Sequence, residues 1–114
     1  MPNNSAEHTA LVNSILLALG RRPDVLIWKS QNGVFRAMED HRRIVKTGVN
    51  GQSDISAIVA PRGRFVSIEV KTGKGVQSSA QKAWQKAVKD RGGIYCLARC
   101  VMDAEFAIEM AKLL

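Results

Sequence analysis

Asp54 and Glu69 are the only acidic residues between His41 and Lys89, a stretch that also carries ten Lys and Arg residues. A surface made only to grip phosphates would gain by losing both. Each acid could pair with a neighbouring base, or the two could converge on a cation. Glu69 sits in Glu69-Val70-Lys71, at the end of a strand candidate, Arg64–Lys71. Alternate side chains of a strand share a face. Glu69 and Lys71 therefore stand side by side with Ser67, while Val66, Ile68 and Val70 point the other way. Asp54 opens the preceding strand candidate, Asp54–Ala60, and Pro61-Arg62-Gly63 is a hairpin-type connection between the two. In an antiparallel pair the start of one strand lies beside the end of the other, so Asp54 and Glu69 are expected to meet at one edge of a sheet. Two carboxylates that close repel, and one pKa rises unless a cation sits between them. Hard oxygen ligands suit Mg2+ or Mn2+, which keeps several waters and accepts phosphate oxygens as further ligands. Such an ion polarises a phosphodiester and acidifies a bound water. Lys71 would then hold or deprotonate that water, or steady the negative charge building on phosphorus. The plainer reading of Glu69-x-Lys71 is an ion pair on a solvated strand face.

Two more polar residues lie where helices begin. Glu7 precedes Leu11 and Ile15 by four and eight residues, heading the apolar stripe of a first helix that runs from Asn4 or Ser5 to about Leu19. It is expected to face inward, where an acid needs a partner; the competing reading is a capping box, Asn4-x-x-Glu7. Ser78-x-x-Gln81 is a second capping box, opening a helix that runs to about Asp90 and is closed by Gly92-Gly93. The other expected elements are strands at Val25–Lys29, Val34–Met38 and Ile94–Ala98, a turn at Gln31-Asn32-Gly33, and a last helix capped by Asp103 and ending at Leu113. The polar, basic stretch Glu39–Gly51 reads as a loop. The elements together spell an α/β core, a mixed sheet flanked by helices.

Seventeen bases against ten acids give a net charge of +7, which points to a polyanionic partner. Arg42, Arg43, Lys46 and Lys74 fall in expected loops near the proposed site and are candidate phosphate contacts; each neutralised phosphate steepens the salt dependence of binding. Lys82 heads a basic helical stripe with Lys86 and Lys89, opposite Ala80, Trp84 and Val88, and is read as a DNA contact, the alternative being a solvated helix face. His8 and His41 are too few and too isolated for a histidine metal site, and both are read as incidental. Trp28 and Trp84 are read as core residues. Lys71-Thr72-Gly73-Lys74-Gly75 lacks the spacing of a phosphate-binding P-loop. The 114 residues fit one domain, residues 1–114, and the 46% hydrophobic content suits a globular chain. The longest apolar run, Ile15–Leu19, is far below the ~20 residues of a membrane span. No basic-then-apolar leader is visible, and Cys96 and Cys100 form no disulfide framework, so the expected compartment is the cytoplasm.

Asp54 followed by Glu69-Val70-Lys71 resembles the D…(D/E)-x-K signature of the PD-(D/E)XK nuclease superfamily. Gly48-Val49-Asn50-Gly51-Gln52-Ser53-Asp54-Ile55, the Lys71–Gly75 loop, Ser78-Ser79-Ala80-Gln81 with Trp84, Gln31-Asn32-Gly33 with Arg36, and Gly92-Gly93 resemble the VRR-NUC family within it. The resemblance runs from Glu7 to about Asp103. It implies a restriction-endonuclease-like α-β-β-β-α-β core and a stand-alone structure-specific nuclease, similar to Holliday junction resolvases. It also implies metal ligation by Asp54, Glu69 and the Val70 carbonyl, with Lys71 as the catalytic lysine. Gln81 would orient Lys71 or the water, and Glu7 would join the site. The leading Pro of the superfamily name is absent, Ser53 standing before Asp54. The expected activity is thus Mg2+- or Mn2+-dependent hydrolysis of DNA phosphodiesters, on branched or junction DNA, leaving a 5′-phosphate and a 3′-hydroxyl. Paired cuts at a junction need two sites, hence a homodimer, formed through the last helix and Ile94–Ala98. The alternatives are a flap or fork nuclease of the same superfamily and a DNA-binding module without catalysis.

Overall fold

Ser5 starts the first helix: its side chain accepts the His8 backbone N–H, and α1 runs Ala6–Gly20. The computed structural model describes residues 5–31, 33–36, 42 and 44–114, with 33–36 and 44–47 described in their backbone. The buried side of α1 is His8, Val12, Ile15 and Leu19. Glu7 is exposed, contrary to expectation. The reason is helical phase. A strict four-residue step overshoots one turn by about 40°, so a stripe traced back from Leu19 to residue 7 drifts by about 120°. Alternating steps of four and three stay on one side, and they lead to His8. Asn4 lies outside the described residues.

The strands are β1 (Val25–Lys29), β2 (Gly33–Arg36), β3 (Ile44–Thr47), β4 (Ile55–Val59), β5 (Arg64–Val70) and β6 (Ile94–Ala98); α2 spans Ser79–Asp90 and α3 spans Val101–Leu113. Four strands make a mixed sheet in the order β1-β4-β5-β6, while β2 and β3 pair separately. β1 and β4 run antiparallel, as do β4 and β5, and β6 lies parallel to β5 after the crossover through α2. The fold is therefore α/β, with a mixed sheet between helices.

The stretch Glu39–Gly51, expected to be a loop, contains β3, which pairs antiparallel with β2. Ile44-Val45-Lys46-Thr47 is three β-branched residues around one lysine, a strand former hidden by the bases and glycine on either side. Asp103 is not the N-cap of α3. That position is Cys100, and the Asp103 carboxylate reaches back to accept the Arg99 N–H at 2.9 Å from within the first turn.

Ile55, Ala57 and Val59 of β4, Val66, Ile68 and Val70 of β5, and Cys96 and Ala98 of β6 face one way. They pack against Val12, Ile15 and Leu19 of α1 and Ala104, Ala107, Ile108 and Ala111 of α3. β5 is buried on its other face too, where Trp84 of α2 donates its indole N–H to Ser67 Oγ at 2.9 Å. A strand covered on both sides normally reads as continuous apolar residues. Ser67, Glu69 and Lys71 break that rule, and they break it on one face. Among the described residues, no helix is long and apolar enough to cross a membrane.

Candidate functional site

Asp54 lies one residue before β4, and two backbone features carry it to Glu69. The Ser30 N–H donates to the Asp54 carbonyl at 2.8 Å, extending the β1–β4 pairing by one residue. The β4–β5 register, in which Ile55 faces Ile68, then sets Asp54 across from Glu69 on the same face. The Asp54 carboxylate is fixed in turn: its Oδ2 accepts the Val70 N–H at 2.9 Å and lies 3.3 Å from His8 Nε2. His8, read from the sequence as incidental, is thus buried against the acid at the head of the site.

The approach of Asp54 to α2 depends on Gly51. Its φ is +82°, and a Cβ there would lie 2.1 Å from the Ala80 carbonyl oxygen. The loop 51–54 can dock on the first turn of α2 because that side chain is missing. That turn carries Gln81. Ser78 Oγ accepts the Gln81 N–H at 3.1 Å, and Gln81 Oε1 accepts the Ser78 N–H at 2.9 Å, completing the expected capping box. The amide's other end, Nε2, donates to Glu69 Oε2 at 3.0 Å. One side chain therefore ties the helix start to the buried carboxylate, rather than to Lys71.

Glu69 is 2% exposed and Lys71 is 1% exposed, with Lys71 Nζ 3.4 Å from Glu69 Oε2. The Lys71 N–H donates to the Ala98 carbonyl at 3.0 Å, holding the residue in line with β5 beyond its end. Burial pushes the Glu69 carboxyl up to about 7; the charge of Asp54 pushes the same way, and Lys71 opposes both. The two acids are thus close enough to repel, as the sequence spacing implied. A solvated ion pair is excluded by the depth of both groups. Asp54 is the more open member, its side chain 27% exposed, so solvent reaches the cluster from that side.

Behind Glu69 the polar lining continues. Ser53 Oγ is buried without a well-formed hydrogen bond, although it lies near enough to the Tyr95 hydroxyl to favour its ionised form. Tyr95 accepts a hydrogen bond from Gln77 at 3.0 Å, and burial raises its pKa. Ion pairs buried this deeply do little for stability compared with apolar packing, and perturbed carboxyls cluster at working sites.

The remaining expected residues distribute as follows. Lys74 is exposed on the loop after Lys71, Lys82 is exposed on α2 next to Gln81, and Arg42 is exposed. Lys46 belongs to β3 rather than to a loop. Arg43 and His41 lie outside the described residues. Trp84 is half-buried, but Trp28, expected in the core, is 42% exposed on β1. Among the described residues, no group of three or more His, Cys, Asp or Glu side chains is arranged as a metal site. Mg2+ needs fewer, since it is commonly held by one or two carboxylates with water and phosphate completing the shell. Asp54 and Glu69, with the Val70 carbonyl between Glu69 and Lys71 in sequence, form a hard-oxygen donor set of that kind. Compared with protein-family models and with curated proteins, the chain matches none.

Proposed function

We propose that this chain is a Mg2+- or Mn2+-dependent DNA endonuclease with a restriction-endonuclease-like core, resembling the VRR-NUC branch of the PD-(D/E)XK nucleases. The order α1, β1, β4, β5, α2, β6 supports that core, with β2–β3 inserted between its first two strands. The observation that carries the reading is the pairing of Asp54 with Glu69 on one sheet face, with a buried lysine 3.4 Å from the second acid.

Asp54, Glu69 and the Val70 carbonyl would hold the divalent ion. When bound there, the ion supplies Lewis-acid polarisation of the phosphate and a more acidic water. His8 and the Val70 N–H fix Asp54 Oδ2, which orients the carboxylate. Gln81 fixes Glu69 Oε2 in the same way. Lys71 places a positive charge at the end of the sheet, where it stabilises the negative charge that grows on the phosphoryl oxygens during attack. Lys74 on the loop after Lys71 and Lys82 beside Gln81 on α2 extend positive charge around the site, and the DNA backbone would follow them. Branched or junction DNA is the substrate class that the resemblance favours. The second site for paired cuts would come from a homodimer through α3 and β6, the last strand of the sheet among the described residues, where Phe106 and Leu114 are exposed.

A labelled panel of four-way junctions, flaps, forks and duplexes, each with Mg2+, Mn2+ or EDTA, tests this reading. The expected result is cutting that requires metal, is strongest on the junction, and is lost in Lys71→Ala while DNA binding remains. Preferred cutting of flaps or forks would move the substrate class within the same superfamily. Binding without metal-dependent cutting would make the chain a DNA-binding module instead.

A further inference from the structure

The face that carries Asp54 and Glu69 is covered unevenly. α2 lies over β5, through the Trp84–Ser67 and Gln81–Glu69 hydrogen bonds, and the acids sit at the border of that cover. Over β1 and β4 the same face leaves large apolar side chains exposed. Trp28 is paired with Ser56, which is two residues from Asp54, so Trp28, Ser56 and Asp54 share this face. Ser30 stands opposite Asp54, which makes Trp28 the diagonal neighbour of the acid, about 7–8 Å away between backbones. Leu26 and Ile58, themselves paired, continue the strip at 64% and 39% exposure. Asp54 is the open side of the cluster, and this half of the sheet borders it.

We propose that Trp28 is a stacking platform for an unpaired nucleobase next to the reacting phosphate, with Leu26 and Ile58 as its apolar floor. The proposal rests on the nuclease reading and sharpens it, because it makes unpaired strand rather than continuous duplex the preferred occupant. The occupant follows from the chemistry of the strip. The chain carries a net charge of +7, and ten of its bases lie between His41 and Lys89, so a nucleic-acid strand is the complementary partner. Among the described residues, the exposed side chains of the strip are an indole and two aliphatic groups, with no cation to bind phosphate. Bases stack on such a surface whatever their sequence, while the backbone is gripped elsewhere. A paired duplex presents no free base face there.

The test uses the emission of Trp28 in a Trp84→Phe background, where it is the sole tryptophan. The protein is titrated in EDTA with oligo-dT, oligo-rU and a blunt hairpin duplex. Saturable quenching by a single strand, at lower concentration than the duplex needs, is expected; the stronger of the two single strands identifies the source of the base. If Trp84→Phe folds poorly, fluorescence polarisation of labelled oligo-dT serves with the unmodified background. There Trp28→Ala is expected to weaken binding by about tenfold and Trp28→Phe by much less, with duplex affinity unchanged. No quenching, or equal affinity of Trp28→Ala and parent for oligo-dT, overturns the proposal. A dimer of the parent that Trp28→Ala dissociates also overturns it, since the strip would then be covered by a second copy. Metal-dependent cutting with no Trp28 effect sinks the platform alone. Quenching without any metal-dependent cutting sinks the nuclease reading alone.

Discussion

Raising the pH from 5 to 8 in the absence of divalent metal is expected to weaken the fold, and Glu69 is the cause. Its carboxyl is pushed up to about 7 in the folded chain, against an ordinary value of 4.5. The folded state therefore holds a proton that the unfolded chain has already released. The stabilisation is fully present below pH 4.5 and is lost as pH rises through 7. At about 1.4 kcal/mol per pH unit, the interval is worth about 3 kcal/mol. Among the described residues, the other shifted groups add little slope in this window. Arg22 and Lys112 hold Asp24 well below the usual carboxylate range, so it stays ionised, and burial pushes the Cys96 thiol up to about 12, so it stays protonated. Urea unfolding in EDTA at pH 5, 6, 7 and 8 measures the effect, and the midpoint temperature should fall by roughly 10 °C or more over the same range. With Mn2+ the slope should weaken or reverse, because the cation binds the ionised carboxylates and stabilises only the folded chain. A flat profile without metal would refute the reasoning, and so would an unchanged slope in Glu69→Gln.

Gly51→Ala puts a methyl group 2.1 Å from the Ala80 carbonyl at a φ of +82°, and it should cost about 2 kcal/mol or more and depress cleavage by displacing Asp54. Gly73→Ala, with a φ of +55° and nothing within 4 Å, is the control, losing only about 1 kcal/mol in thermal or urea melts. Gln81→Glu keeps the capping acceptor but sets a second carboxylate against Glu69, so cleavage should fall while circular dichroism stays that of the parent; unchanged cleavage would separate Gln81 from the site. His8→Ala removes a partner of Asp54 Oδ2 and should weaken Mn2+ binding by calorimetry about tenfold, and equal affinity would make that contact incidental.

The pairing of β4 with β5 was legible because Val66, Ile68 and Val70 alternate with Ser67, Glu69 and Lys71, and a Pro-Arg-Gly connection joins two short runs rich in apolar and β-branched residues. That pairing brings Asp54, Glu69 and Lys71 together without any tertiary information. Glu7 and His8 show where such reading fails. Adjacent residues on a helix differ by about 100°, and choosing the inward one needs the phase of the whole stripe, which buried Val12 sets and Leu11 does not. β3 was hidden because its four residues are short and bracketed by bases. Gln81 announced its cap but not its second partner, since Glu69 is twelve residues away on another element. Trp28 alternates correctly for a strand. What leaves it exposed is that the described hydrogen bonds of α2 reach β5 and not β1, a fact about helix placement that no local pattern carries.

A crystal soaked in Mn2+ and recorded at a wavelength where manganese scatters anomalously addresses the pairing of the two acids directly. The expected result is an anomalous peak within coordination distance of an Asp54 oxygen, a Glu69 oxygen and the Val70 carbonyl. A soaked crystal whose strongest manganese peaks all lie elsewhere, with Asp54 and Glu69 still hydrogen-bonded as they are without metal, would contradict a metal-dependent nuclease.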